Sequence, residues 1–69
     1  MLNIGDQVNV IIKEIDEMGC MVTLPDYNNT EGFIPGNRHK HKVGSAHMVT
    51  VIRICKEKGY VDLQFNKNN

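Results

Sequence analysis

The chain has 69 residues and a mass of 7.8 kDa, with eight basic and eight acidic side chains and a formal net charge of +0. That length admits one domain with a modest core and leaves no room for a full dinucleotide fold, a kinase or a hydrolase, while 41% hydrophobic and 23% charged residues exclude a disordered chain. Neutrality argues against a simple nucleic-acid glue; no apolar run could span a bilayer; and the first six residues lack the basic-then-apolar order of a signal peptide, so a cytoplasmic protein is expected.

The pattern along the chain has period two. Val8, Val10 and Ile12 alternate with Gln7, Asn9 and Ile11, which predicts a first strand running to Ile15. Asp16-Glu17-Met18-Gly19 reads as a turn. Cys20, Val22 and Leu24 alternate with Met21 and Thr23 as a second strand, stopped by Pro25-Asp26-Tyr27-Asn28-Asn29. A short third strand covers Gly32-Phe33-Ile34 and ends at Pro35-Gly36. Residues 37–42 are polar and basic and read as a loop. A fourth strand follows over residues 47–54, where the adjacent pair Val51-Ile52 predicts a bulge that switches face. Lys56-Glu57-Lys58-Gly59 makes a hairpin connection with Gly59 left-handed. The fifth strand has Val61, Leu63 and Phe65 inward and Tyr60, Asp62 and Gln64 outward, and residues 66–69 form a frayed tail.

No segment keeps helical spacing for three turns. Five short strands in a chain of this size point to a small closed barrel, and the five-stranded OB fold is the option that fits. The expected architecture is therefore all-β, one domain over residues 1–69, monomeric.

The neutral total hides a split. Residues 1–36 hold six acids against Lys13 alone, a net −5; residues 37–69 hold seven bases against Glu57 and Asp62, a net +5. The densest basic stretch is Arg38-His39-Lys40-His41-Lys42, a candidate grip for phosphates or for an acidic protein groove. Its histidines have no Cys, Asp or Glu beside them in the loop, so no zinc site is expected there. Cys20 and Cys55 read as free thiols acting as small hydrophobes. No nucleophile–base–orienter order and no Gly-rich phosphate loop is present, so no enzyme activity and no cofactor are expected. Asn28-Asn29-Thr30 matches a glycosylation pattern, incidental in a chain without a signal peptide. Tyr27 and Tyr60 are candidates for base stacking or for packing on a barrel surface.

Several segments carry a family resemblance. Residues 10–15, Glu17-Met18-Gly19, Tyr27-Asn28-Asn29, Glu31-Gly32, Val51-Ile52-Arg53 and Lys56-Glu57-Lys58-Gly59-Tyr60-Val61-Asp62-Leu63 occur in the order found in the alpha subunit of eukaryotic translation initiation factor two. Over residues 5–65 the chain resembles that subunit's amino-terminal OB domain, of the ribosomal-protein-S-one RNA-binding type. Two departures stand out. The connection after the third strand, which in the factor is long and carries a regulatory serine, is here Pro35 to Lys42 without serine or threonine, and Ser45 lies beyond it; the factor's other domains have no counterpart in these 69 residues.

The resemblance implies a role. In the family, the stretch matching Lys58, Gly59, Tyr60, Val61 and Asp62 is a docking surface for the kinases of that factor. Short viral copies of this domain act as pseudosubstrates of the antiviral, double-stranded-RNA-activated kinase. A copy that keeps the docking strand and lacks the acceptor serine resembles those decoys, and Arg38, Lys40 and Lys42 would then lean on the kinase's acidic substrate cleft. The alternative is a weak single-stranded RNA binder, or a protein associated with ribosomal initiation complexes, using Met21, Phe33 and Tyr60. RNA-binding relatives usually carry an aromatic where Met21 stands and often a histidine where Pro35 stands, so weak, salt-dependent affinity is expected.

Overall fold

The computed structural model describes residues 1–36 and 41–66. Five strands, β1 (Gln7–Asp16), β2 (Gly19–Leu24), β3 (Thr30–Pro35), β4 (Ala46–Cys55) and β5 (Tyr60–Phe65), close into a barrel in the order β1-β2-β3-β5-β4. The expected five-stranded OB barrel is thus the fold. Every seam is antiparallel except β3–β5, which is parallel. Strands joined by tight turns must pair antiparallel; β3 and β4 are not neighbours in the barrel, and β5, antiparallel to β4, lies parallel to β3.

The core is the inward half of the alternating pattern. Val8, Val10, Ile12, Cys20, Val22, Leu24, Ile34, Val49, Val51, Val61 and Leu63 are all at 4% exposure or less. Gly32 belongs to this inner layer. A Cβ there would come within 2.6 Å of Leu63 Cδ1 and 3.1 Å of Val22 Cγ2, so only hydrogen fits where β3 faces the interior.

The Val51–Ile52 bulge is present, with a register shift between Val51 and Arg53 that returns Ile54 to the core side and leaves Ile52 38% exposed. A second shift, between Ile12 and Glu14, has no counterpart in the sequence reading, because Ile11, Ile12 and Ile15 mask the alternation. In the β1–β2 turn the Asp16 carboxylate accepts from the Met18 and Gly19 N–H groups at 2.8 and 3.1 Å. The β2–β3 connection contains a short 3-10 helix, Pro25–Tyr27, followed by Asn28 and Asn29, both left-handed at φ 57°. Tyr27 is half-buried and packs against the core.

Three expectations at the barrel end need correction. Phe65 is only half-buried, because the last inward position of β5 lies at the barrel rim. There its ring centroid is 4.4 Å from that of His41 and 5.7 Å from that of His47, and the two imidazoles are 4.1 Å apart. His41 is therefore packed into a ring cluster rather than part of a solvated basic loop. Asn66 does not begin a frayed tail: its side chain accepts from Thr50 Oγ1 at 2.6 Å and donates to Gln7 Oε1 at 2.9 Å, while Gln7 Nε2 donates to Thr50 Oγ1 at 2.6 Å.

A groove across β2, β3 and β5

Register determines what shares the outer face. Met21 pairs with Phe33, Phe33 with Asp62 and Asp62 with Arg53; one step along, Thr23 pairs with Glu31, Glu31 with Tyr60 and Tyr60 with Cys55. Two rows therefore run side by side across four strands, β2, β3, β5 and β4. Met21, Glu31, Gly32, Phe33, Tyr60 and Asp62 line a groove of about 250 Å³ along the β3–β5 seam. Gly19 clears space at one edge, since a Cβ there would fall 2.8 Å from Phe33 Cζ.

The groove has an apolar, aromatic floor and two carboxylates. Glu31 Oε2 is 3.3 Å from Lys13 Nζ, and both side chains are more than half exposed. Asp62 Oδ2 is 3.8 Å from Arg53 Nη1; the Asp62 side chain is 20% exposed, that of Arg53 68%. Lys13 and Arg53 stand outside the groove lining, so the balancing cations are at the rim and the anions face inward. Cys20, in the core beneath, has its thiol pushed above its usual value, first by burial and then by the Asp16 carboxylate. Neither Cys20 nor Cys55 is in a disulfide, and Cys55 is partly exposed.

Met21, Phe33 and Tyr60, far apart in sequence, meet in this groove. Of the Lys58–Asp62 segment, Tyr60 and Asp62 reach it, Lys58 and Gly59 are exposed in the hairpin with Gly59 at φ 75°, and Val61 is a core residue at 3% exposure, out of a partner's reach. Of the basic stretch, Arg38, His39 and Lys40 lie outside the described residues. Lys42 is exposed, and its carbonyl accepts from Ser45 Oγ at 2.5 Å; the Ser45 oxygen, 2.8 Å from His47 Nε2, is left to accept from that nitrogen. Glu31 and Gly32 line the groove but stood in the sequence reading only as a resemblance segment, Gly32 also as a strand residue, and Glu31 is the one that adds a charged side chain. Its spacing of two from Phe33 was the available signal. Among the described residues, no three His, Cys, Asp or Glu side chains are grouped to hold a metal, and no helix is long and apolar enough to cross a membrane.

Among the described residues, the two basic regions do not form one surface. The Lys56–Gly59 turn sits at the start of β5 and His41 stacks on its end, so about 17 Å of strand separates them.

The closed five-stranded barrel has the OB fold of the initiation-factor alpha-subunit proteins it resembles. The chain is homologous to the amino-terminal domain of the alpha subunit of initiation factor two. It is 39% identical to the Arabidopsis thaliana protein described as a eukaryotic translation initiation factor 2 subunit alpha homolog, in a match covering 81% of this chain and 19% of that protein. The chain thus spans about one-fifth of the length of the curated relatives it matches. Among solved structures, it superposes on a chain of the a/eIF2alpha–aDim2p–rRNA complex of Pyrococcus horikoshii with a TM-score of 0.87, at 24% identity, over 100% of this chain and 47% of that one, a likeness of fold. It also superposes on a protein of vaccinia virus (Wisconsin strain) with a TM-score of 0.74, at 25% identity, over 96% of this chain and 90% of that one. No protein-family model matches the chain.

Proposed function

We propose that this protein is a mimic of the amino-terminal domain of the initiation factor two alpha subunit, a pseudosubstrate that binds and inhibits the kinases of that factor, including the antiviral double-stranded-RNA-activated kinase. The observation that carries the reading is the Lys58–Asp62 segment with Tyr60 and Asp62 on an open outer groove, in a chain whose β3–β4 connection offers no serine or threonine before Ser45. The end-to-end likeness to the vaccinia virus protein supports it. Inhibition is competitive occupancy, without chemistry. Tyr60 is the anchor, a rigid aromatic at the centre of the patch. Lys58 is exposed on the adjoining hairpin and tunes specificity by charge.

The test is phosphorylation of the full-length alpha subunit by the kinase in the presence of increasing amounts of this protein. Inhibition without labelling of the added protein is expected; unchanged phosphorylation overturns the reading. The meeting of Met21, Phe33 and Tyr60 in one groove favours a second reading, weak binding of single-stranded RNA. It predicts low-salt affinity for a short oligonucleotide that Phe33→Ala weakens.

A further inference from the structure

We propose, resting on the docking role just described, that the β3–β5 groove is a receptor for one arginine side chain of a protein partner. Glu31 pairs with Tyr60 and Phe33 with Asp62 across the seam, so the carboxylates occupy one diagonal of a four-residue patch and the aromatic rings the other. A guanidinium between them forks onto a carboxylate and lies against a ring face, two interactions a planar cation makes together and a compact ammonium does not. Met21 and the Gly32 backbone complete a floor for the methylene stem.

Size and charge restrict the occupant. The groove, about 250 Å³, is smaller than ordinary small-molecule pockets and suits one long side chain. Its own cations do not fill it: Lys13 and Arg53, both more than half exposed, reach the carboxylates from the rim at 3.3 and 3.8 Å. A nucleic-acid strand brings phosphates toward the same two carboxylates, which repel them. The groove therefore selects an arginine-bearing protein segment over RNA.

The test is an amide chemical-shift titration of the full chain with the blocked tripeptide Gly-Arg-Gly and with its citrulline counterpart, which keeps the shape and removes the charge. Saturable shifts at Met21, Gly32, Phe33, Tyr60 and Asp62 are expected with arginine. Binding should be roughly tenfold weaker with citrulline, and weaker by a similar factor in Glu31→Gln and Asp62→Asn, whose remaining spectra report an intact barrel. Equal binding of both peptides, no saturable shift, or an oligouridylate that perturbs these amides at lower concentration than the arginine peptide overturns the proposal. Kinase inhibition measured on the same proteins separates the two ideas. Inhibition that survives both variants keeps the pseudosubstrate reading and removes the arginine receptor. A wild-type protein that binds the peptide but leaves the kinase active does the reverse.

Discussion

Two of the five seams that enclose the core present contrasting outer faces. At the β1–β4 seam, five residue pairs align antiparallel, and Gln7, Thr50 and Asn66 close a ring of three hydrogen bonds among neutral groups. Gly44 and Ser45 extend that seam by bonding the Ile12 backbone at 2.7 and 3.0 Å. At the β3–β5 seam, three pairs align parallel, and the outer positions carry Glu31, Phe33, Tyr60 and Asp62 around a depression. One face satisfies its polar groups internally. The other points two carboxylates and two rings at solvent, with only loose contacts to the rim cations. A small barrel thus separates a seam that fastens the fold from a seam that offers binding capacity, using the same inward aliphatic layer beneath both.

The contrast can be broken or sharpened, beginning with the largest effect. Gly32→Val forces side-chain atoms into Leu63, Val22 and Leu24 and should destabilise the barrel by about 2–3 kcal/mol in urea unfolding; a neutral result would mean that the parallel seam is loosely packed. Tyr60→Ala should weaken kinase inhibition by roughly tenfold or more while the unfolding midpoint moves little, because the ring lies on the outer face. Thr50→Ala opens the polar ring and should lower stability by about 1 kcal/mol with inhibition unchanged, the reverse of Tyr60→Ala. Lys13→Ala, at an exposed pair, should change stability by less than about 0.5 kcal/mol and slightly tighten the arginine peptide by releasing Glu31.

Beneath both faces, the raised Cys20 thiol makes a pH prediction. The unfolded chain gives up this proton at lower pH than the folded one. The stabilisation is therefore complete below the ordinary thiol range and is lost as pH rises through it. As pH rises above about 8.5, the melting temperature of the wild type should fall more steeply than that of Cys20→Ala. The buried thiol should also react with a thiol reagent far more slowly than the partly exposed Cys55.

Much of the barrel was legible in the residues. The alternation of Val8, Val10 and Ile12, of Cys20, Val22 and Leu24, and of Val61 and Leu63 names the inner layer, because a pleated strand sends successive side chains to opposite faces. Val51-Ile52 announced its bulge by placing two apolar residues where one belongs. The shift between Ile12 and Glu14 stayed hidden among isoleucines that fit either face. Strand ends read short by a residue or two at β3 and β4, because Thr30, Glu31 and Ala46 carry no strong strand signal and join only through their partners.

The candidate site was legible in part. Tyr60 and Asp62 turn outward by alternation alone, and Met21 and Phe33 were candidates for another role. That Glu31 stands opposite Tyr60 depends on β3 and β5 lying side by side and parallel, a relation between residues about thirty positions apart that no local pattern encodes. Nor does the net charge of residues 37–69 reveal that His41 and the Lys56–Gly59 turn stand at opposite ends of the barrel.

The sequence by itself determined which residues face the core, where the chain turns and that five strands must close, since period-two patterning and turn chemistry are local properties. Only the tertiary structure decided which outer residues become neighbours, that two carboxylates share a groove with two aromatic rings, and that His41, His47 and Phe65 plug one end. The physical reason is that strand order and register are set by how the whole inner layer packs around Gly32 and Leu63, and the outer face inherits its arrangement from that closure.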